Sequence, residues 1–184
     1  MNNNYLFTSP RLGFREWNDS DMELMARINN DPDVMRYFPS VQSNTQTEAF
    51  IRRMQNQFGE RKYCYFAVDT LHNRNFIGFI GLSFQVFEAS FTPCIDIGWR
   101  LSKDAWGNGY ATEGALRCLQ YGFELQGIEE IFSMAPKVNQ PSINVMQKIG
   151  MNYVSDFKHP LLKDHSQLED CVLYKIQSPV NRGF

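Results

Sequence analysis

The most constraining feature of the sequence is a glycine-containing loop between a strand pattern and a long helical pattern. Residues 94–101 alternate as a strand does, and Trp106-Gly107-Asn108-Gly109-Tyr110-Ala111 then leads into helically spaced apolar residues that stop at Gly127. A loop that enters a helix in this way points several unpaired N–H groups at one spot, which the helix dipole makes positive. The two glycines let the backbone approach a ligand closely. This pattern predicts a diphosphate site, although it also fits an ordinary loop with two turn glycines.

Other ligand-binding motifs fit the sequence poorly. The phosphate loop GxxxxGK(S/T) is absent, and a GxGxxG dinucleotide fingerprint fails because Thr112 stands at its third glycine. His72, His159 and His165 lack the HExxH spacing, and histidines in loops more often face solvent than bind metal. We therefore predict no metal site.

Periodicity elsewhere predicts an α+β fold without repeats or linkers. Two helices come early, one after the cap-type residues 18–21 and one starting near 43–45, with Thr45 and Glu48 at capping-box spacing, and ending at Gly59. A short helix is predicted at 141–149. Strand patterns occupy residues 5–17, 63–69, 76–87, 94–101, 130–135, 151–157 and 169–176. We expect one domain over residues 1–184, with residues 177–184 unanchored.

Composition limits the partners that we expect. The 184 residues are 43% hydrophobic, enough for one core, and 18 Lys and Arg against 20 Asp and Glu give a net charge of −2. Without a basic surplus, neither nucleic acid nor an anionic membrane is an expected partner. No apolar run reaches the length of a membrane span, and the polar start is unlike a leader, so we expect a cytoplasmic protein. Its four scattered cysteines are expected to be free thiols.

Five ordered segments resemble the GNAT superfamily of N-acetyltransferases, and within it the branch of the ribosomal-protein N-terminal acetyltransferases. In chain order they are Thr8-Ser9-Pro10-Arg11-Leu12, Asn30-Asp31-Pro32-Asp33-Val34-Met35-Arg36-Tyr37, Ile97-Gly98-Trp99-Arg100-Leu101, the loop from Trp106 to Glu113, and Asn139-Gln140-Pro141-Ser142 with Lys148-Ile149-Gly150-Met151. The resemblance covers nearly the whole chain. In the family's loop pattern, R/Q-x-x-G-x-G/A, Trp106 stands at the first place, while Gly109 and Ala111 fit.

The resemblance implies a three-layer arrangement of this α+β fold, in which a mixed, mostly antiparallel sheet splays between its fourth and fifth strands and carries helices on both faces. It also implies acetyl-CoA as the acetyl donor, bound in the splay. The pantetheine arm is then expected along Ile97, Trp99 and Leu101 and near Asn139. The diphosphate is expected on Trp106, Gly107, Asn108, Gly109, Tyr110, Ala111 and Thr112. Lys103 and Lys148 are candidate partners of a cofactor phosphate or ordinary surface lysines.

Acetyl transfer to an amine needs a base for the amine and a proton for the departing thiolate. Asp96, on the strand that leads into the expected cleft, is the candidate base; a surface carboxylate or a partner of Arg100 on the same strand face are the alternatives. Many relatives have a tyrosine donor where this chain has Met146, which has no proton to donate. The branch that the chain resembles implies Ser142 as the donor instead, although helix capping explains a serine there equally well.

These residues predict acetyl-CoA-dependent acetylation of a primary amine, either a protein N-terminus or a small amine. A catalytically weak acyl-CoA-binding module and a nucleotide-binding protein that uses the same loop are the alternatives. The acceptor pocket is expected between the two early helices and the loop that joins the last strands. We expect a monomer or a homodimer, because exposed sheet edges permit pairing.

Overall fold

The computed structural model describes residues 5–179, and its elements follow the predicted order of an α+β fold, except that the first strand is divided in two and a short extra helix, Pro32–Met35, follows the first helix. The helices are α1 (Asp21–Asn29), α2 (Pro32–Met35), α3 (Asn44–Arg61), α4 (Tyr110–Gln120) and α5 (Gln140–Lys148). The strands are β1 (Phe7–Thr8), β2 (Leu12–Arg15), β3 (Tyr65–Thr70), β4 (Phe76–Gln85), β5 (Cys94–Leu101), β6 (Glu130–Pro136), β7 (Asn152–Lys158) and β8 (Asp170–Gln177). Short 3₁₀ turns cover Lys103–Ala105 and Pro160–Leu162.

One sheet contains all eight strands, in the order β1-β2-β3-β4-β5-β6-β8-β7. Every neighbouring pair is antiparallel except β5 and β6, which run parallel and share a single registered pair, Asp96 with Phe132. The sheet therefore opens between β5 and β6, the fourth and fifth of the predicted strands. The predicted fold, a mixed and mostly antiparallel sheet that splays at this point, is confirmed.

Helices cover both faces of the sheet. On one face α4 lies so close to β4 that a Cβ atom on Gly114 would be 2.3 Å from Cδ1 of Ile80. On the other face Phe50 of α3 packs on Phe79 of β4, with ring centroids 5.1 Å apart. Because successive residues of a strand alternate between faces, this pair of contacts fixes which side chains of β4 and β5 point toward α3 and which toward α4.

The structure corrects the predicted ends of the early elements. The single strand expected at 5–17 is divided into β1 and β2, which pair as a hairpin. The capping box of α3 is Ser43 with Gln46, so the predicted box of Thr45 and Glu48 is wrong. The helix also continues through Gly59 to Arg61, and Lys62, whose φ is 62°, is its C-cap. Packing of Phe58 on Phe66 outweighs the low helix propensity of one glycine.

The ends of two later elements also differ from the prediction. The helical pattern expected to reach Gly127 is α-helical only to Gln120, and Tyr121–Leu125 forms a π-helical turn. At the end of the chain, Gln177 belongs to β8 and the N–H of Ser178 donates to the carbonyl of Glu129 at 2.8 Å. The prediction of an unanchored tail is therefore wrong for residues 177 and 178, and its part at residues 180–184 lies outside the described part of the chain.

Two expectations from composition are tested by the structure. The thiols of Cys64, Cys94, Cys118 and Cys171 are all free, as predicted, and all are buried. Between residues 5 and 179, no helix combines the length and apolar character needed to cross a membrane.

Candidate active site

Six consecutive backbone N–H groups, those of residues 107–112, donate to no acceptor within residues 5–179. The φ angles of Gly107 and Gly109, 74° and 77°, lie in the left-handed region that glycine adopts without strain. A Cβ atom on Gly107 would meet no atom within 4 Å, so this backbone is uncovered. Free amides at a helix N-terminus fit a diphosphate. The N–H of Trp106, included in the predicted site, is not available because it donates to the carbonyl of Lys103 at 3.1 Å.

Side chains of the loop hold this backbone in place. The Asn108 side-chain amide donates to the carbonyls of Ala105 at 3.3 Å and Trp106 at 3.0 Å. The Trp106 indole N–H donates to the carbonyl of Leu101 at 3.0 Å. Both predicted ligand contacts therefore use their side chains to hold the loop. Asn108 can still offer its backbone N–H to a ligand, whereas the backbone N–H of Trp106 is already bonded.

Glu113 ties the start of α4 to the β1–β2 hairpin. It accepts hydrogen bonds from the Ser9 hydroxyl at 2.7 Å, the Arg11 backbone N–H at 2.8 Å and Arg11 Nε at 2.6 Å. Burial raises the pKa of Glu113, but these bonds outweigh it and keep the pKa below the ordinary value. Arg11 also lies over the Tyr110 ring, 4.7 Å from its centroid, beside the free amides. Local sequence patterns do not predict this cation at the loop, because only the fold brings residue 11 to residue 110.

The edge of β5 that faces the splay is partly occupied. The Ser133 hydroxyl donates to the carbonyl of Ile97 at 3.0 Å, and Trp106 takes the carbonyl of Leu101. Alternation along the strand points the backbone groups of Trp99 to the same side, where β6 has already diverged. Of the three residues predicted to pair with the pantetheine arm, Trp99 is thus the one whose N–H and carbonyl both lack a partner within residues 5–179.

A cavity of about 440 Å³ lies against the free amides, and we name it the loop cavity. Of the predicted site residues it is lined by Trp99, Leu101, Trp106, Gly107, Gly109, Tyr110, Ala111, Thr112, Asn139 and Ser142. Lys148 lines it as well, whereas Lys103 forms an ion pair with Asp33 and is absent from the lining. Of the two lysines that the sequence offers as partners of a cofactor phosphate, Lys148 therefore lies at the loop cavity and Lys103 does not.

A second cavity, of about 430 Å³, adjoins the first, and we name it the Asp96 cavity. It is bounded by the segment that follows α2, by α3, and by the loop between β7 and β8. Of the elements expected around the acceptor pocket, α3 and this loop line the cavity, whereas α1 does not. The two cavities share lining residues, among them Trp99, Asn139 and Ser142. A ligand in the loop cavity can therefore meet a ligand in the Asp96 cavity beside these three residues.

Asp96 is buried in this second cavity and held by two neutral donors. Its side chain accepts from the Tyr65 hydroxyl, 2.8 Å from both carboxylate oxygens, and from the Gln85 amide at 2.9 Å. Burial raises the pKa of Asp96 to about 6, and the two hydrogen bonds limit the rise. At 7% exposure Asp96 is no surface carboxylate, and Arg100 donates to Asn29 instead, so both structural alternatives for Asp96 are wrong.

The sequence pattern does not predict Tyr65 and Gln85 as partners of Asp96, although one glycine gives a partial signal. A Cβ atom on Gly98 would lie 3.1 Å from the Tyr65 ring. Gly98 therefore gives the ring room to cross the sheet from β3 to Asp96 on β5. The spacing of Asp96 and Gly98 alone does not predict this contact. It can be predicted only when the pairing of β3, β4 and β5 is known.

The residue that caps α5 is Asn139 and not Ser142. The Asn139 side-chain oxygen accepts from the Ser142 backbone N–H at 3.2 Å, which leaves the Asn139 amide NH₂ free for another acceptor. The Ser142 hydroxyl makes no hydrogen bond within residues 5–179 and borders both cavities. The capping explanation for Ser142 is therefore wrong. Met146, at the position of the relatives' tyrosine, is buried and lines the Asp96 cavity.

His159 departs from the expectation that loop histidines face solvent. Its ring stacks on Phe87 with centroids 4.5 Å apart, and its Nδ1 accepts from the Leu161 N–H at 3.3 Å. Burial lowers the pKa of His159, so the imidazole is neutral at physiological pH. Over the described part of the chain no cluster of His, Cys, Asp and Glu side chains suits a metal ion.

Comparison with known proteins identifies the family. The model of the acetyltransferase (GNAT) domain matches residues 11–152. The uncharacterized protein YkkB of Bacillus subtilis is 31% identical over 83% of this chain and 88% of its own length. The uncharacterized N-acetyltransferase YnaD of the same organism is 30% identical, covering 82% of this chain and 85% of its own.

Solved structures agree with these matches. A GNAT-family acetyltransferase from Bacillus anthracis has 27% identity and a TM-score of 0.76, and the match covers 93% of this chain and 97% of that one. The ribosomal-protein-S5-alanine acetyltransferase of Vibrio fischeri shares the fold at 17% identity and a TM-score of 0.75, over 94% and 96% of the two chains. The protein described here therefore belongs to the GNAT family, as its motifs predict, and is an enzyme that transfers acetyl groups.

Proposed function

We propose that this enzyme transfers the acetyl group of acetyl-CoA to an α-amine, with acetyl-CoA in the loop cavity and the amine in the Asp96 cavity. The observation that carries the proposal is the buried Asp96 carboxylate, whose pKa is about 6, in a cavity that joins the loop cavity beside Trp99 and Ser142. A general base works best when its pKa lies near the working pH. Asp96 meets that requirement, whereas an exposed carboxylate does not.

The binding of acetyl-CoA is assigned to groups that are free in the structure. In this proposal the N–H groups of residues 107–112 donate hydrogen bonds to the diphosphate, and Arg11 adds positive charge beside them. The pantetheine arm is to pair with the free backbone of Trp99 and to meet the Asn139 amide. When bound, acetyl-CoA supplies an activated thioester carbonyl at the junction of the two cavities.

The pKa of Asp96 favours an α-amine over a lysine side chain. Proton transfer from an α-ammonium group, with a pKa of about 8, to a carboxylate of pKa about 6 costs about 3 kcal/mol. The same transfer from a lysine ammonium, with a pKa of about 10.4, costs about 6 kcal/mol. The base in this cavity is therefore matched to a protein N-terminus or a small α-amine.

Two side chains account for the protons. Asp96 takes the first proton of the ammonium group and passes it to solvent, which leaves a neutral amine that attacks the acetyl carbon. The Ser142 hydroxyl protonates the sulfur as the C–S bond breaks, and the second proton lost by the nitrogen replaces the one that Ser142 gave. A thiol of pKa about 8.5 leaves readily, so Ser142 has a smaller effect than Asp96.

The test is release of CoA thiol from acetyl-CoA at pH 7 with matched amines. We expect an alanyl peptide with a free N-terminus to exceed Nα-acetyl-lysine amide in kcat/KM by at least about tenfold, because the difference in proton-transfer cost is about 3 kcal/mol. A preference for the lysine ε-amine would contradict the assignment to α-amines.

The alternatives predict different results from the same preparation. A binding module binds CoA but releases no thiol above background hydrolysis with any amine. A nucleotide-binding protein binds NAD or ATP more tightly than CoA in calorimetry. Comparing the alanyl peptide with alaninamide then separates an acetyltransferase of protein N-termini from one of small amines.

A further inference from the structure

Arg100 is a largely buried cation without a carboxylate partner. Its Nη1 donates to the Asn29 side-chain oxygen at 2.6 Å and lies 3.5 Å from the Gln42 side-chain oxygen, and both acceptors are neutral. Its Nε is shielded from solvent and has no hydrogen-bond partner within residues 5–179. Nη2 also has no hydrogen-bond partner within residues 5–179 but is not among the shielded atoms, so Nη2 is the donor of Arg100 that a ligand can reach.

The surroundings hold the guanidinium in one position. Asn29 donates in turn to the Thr47 hydroxyl at 2.9 Å, and Thr47 donates to the carbonyl of Ser43 at 3.1 Å. Phe38 lies under the guanidinium, with its ring centroid 4.1 Å from Cζ. Neutral groups and an aromatic ring therefore hold the guanidinium group in one orientation, and no carboxylate within residues 5–179 forms an ion pair with its positive charge.

Arg100 borders both cavities, but the sheet face that carries its side chain is the face of the Asp96 cavity. Arg100 pairs in register with Phe79, which packs on α3, so its side chain is on the sheet face opposite α4. The free amides of residues 107–112 are at the start of α4, on the other face. Asp96, four residues earlier on the same strand, shares the face of Arg100. Both side chains line the Asp96 cavity.

A second cation, exposed where Arg100 is largely buried, also borders the Asp96 cavity. Arg53 of α3 lines this cavity and lies over the Phe50 ring, and it forms no ion pair with any described carboxylate. The cavity lining thus carries two guanidinium groups against one carboxylate, Asp96, which Tyr65 and Gln85 hold. The surplus is positive, which favours an acceptor with a negative group besides its amine.

We propose that Arg100 binds a carboxylate of the acceptor, so that the enzyme acetylates amines that carry a carboxylate. The proposal rests on the proposed function and names the substrate class of the same site. Nη2 of Arg100 has no acceptor within residues 5–179 and is not shielded as Nε is, so it can donate to a carboxylate oxygen in a charge-assisted hydrogen bond. The carboxylate can be that of a free amino acid or an acidic side chain near a peptide N-terminus.

The experiment compares amines that differ only in that charge. Ala-Glu amide against Ala-Gln amide tests a side-chain carboxylate, and alanine against alaninamide tests the carboxylate of a free amino acid. In each arm kcat/KM is measured for the wild type, for Arg100→Gln, and for Arg52→Gln, whose arginine pairs with Glu48 on the exposed face of α3. The ratio of acid to amide within one pair is the readout, and comparing variants cancels the different basicities of the amines.

We expect the wild type and Arg52→Gln to prefer the acid by about tenfold or more in at least one arm, since charge-assisted hydrogen bonds are the stronger kind. Arg100→Gln is expected to abolish that preference through the KM of the acceptor, with the KM of acetyl-CoA unchanged. If kcat/KM of the wild type is equal or greater for the amide than for the acid in both pairs, the proposal is overturned. A preference for the acid that survives in Arg100→Gln also overturns it. Neither result affects the assignment as an acetyltransferase.

A binding measurement keeps the proposal testable without turnover or with a poorly folded variant. In the wild-type complex with CoA, calorimetry is expected to show at least about tenfold tighter binding of the acid than of its amide. Equal affinities overturn the proposal by themselves. Absence of thiol release with every amine, combined with tighter binding of the acid, contradicts the proposed function and supports the carboxylate site.

Discussion

The Tyr65 hydroxyl lies 2.8 Å from both oxygens of the Asp96 carboxylate. Tyr65 belongs to β3 and Asp96 to β5, so this contact spans the strand between them, over Gly98. It fixes the carboxylate toward its cavity and offsets part of the burial that raises the pKa of Asp96. The same negative charge, together with burial, raises the pKa of Tyr65, so the hydroxyl stays a donor at physiological pH.

Replacing Tyr65 with Phe is expected to shift the acid limb of the pH profile. The hydrogen bond favours ionised Asp96, so its loss raises the pKa of Asp96, and the rise of kcat/KM with pH moves upward by about one unit. Tyr63→Phe, a buried tyrosine outside both cavities, is the control. An acid limb that stays in place in Tyr65→Phe would show that Asp96 does not control this limb.

Replacing Asp96 with Asn is expected to reduce kcat/KM by about 100-fold, the usual effect of a general base. The wild-type rate is expected to rise with pH through about 6 and then level off, because the base must be ionised. The variant should lack this rise. Asp164→Asn, in an exposed loop, is the control.

The same Asp96→Asn variant is expected to be more stable than the wild type at pH 7.5. The ordinary pKa of 3.8 becomes about 6 in the folded state, so between these values the folded protein keeps a proton that the unfolded chain releases. Stability therefore falls as pH rises through that window, by up to about 3 kcal/mol. Urea denaturation at pH 4 and pH 7.5 measures this. A stability difference that is the same at both pH values would contradict a raised pKa.

The glycines of the loop are expected to act on ligand binding. Alanine at Gly107 or Gly109 takes on φ above 70° and also puts a methyl group beside the free amides. Gly127 has φ of 63° with equally open surroundings, but lies outside the loop cavity. All three alanine variants are expected to lose about 1 kcal/mol of stability, while Kd for CoA rises at least about tenfold only at Gly107 and Gly109. Unchanged CoA affinity in both would be incompatible with a diphosphate on this loop.

Two residues at the start of α5 are expected to differ in their effects, Asn139 on stability and Ser142 on the rate of catalysis. Asn139→Ala removes the helix cap and is expected to cost about 1 kcal/mol of stability. Ser142→Ala keeps that cap and is expected to retain full stability while kcat falls by about tenfold. Thermal unfolding and steady-state rates of both variants provide the comparison. A Ser142→Ala enzyme with wild-type kcat would remove Ser142 from the mechanism.

Local patterns predict the elements of this fold, and their failures have physical causes. The strand at 94–101 is placed correctly because its alternation is bounded by breakers on both sides. Alternation also gives the face of Asp96 but not its depth, which depends on α3 and on Tyr65 from another strand. The loop amides follow from local spacing, whereas the positions of Arg11 beside Tyr110 and of Arg100 beside Asn29 are set only when distant segments meet. Side chains whose role is set by tertiary contacts are therefore the ones that the sequence leaves unassigned.

The most direct test of the account is a crystal structure of the enzyme with CoA. We expect the diphosphate oxygens to accept from the N–H groups of residues 107–112, and the CoA sulfur to lie between Trp99 and Ser142 with Asp96 as the carboxylate within one water of it. A diphosphate bound elsewhere, or a sulfur that approaches a different carboxylate, would contradict the account.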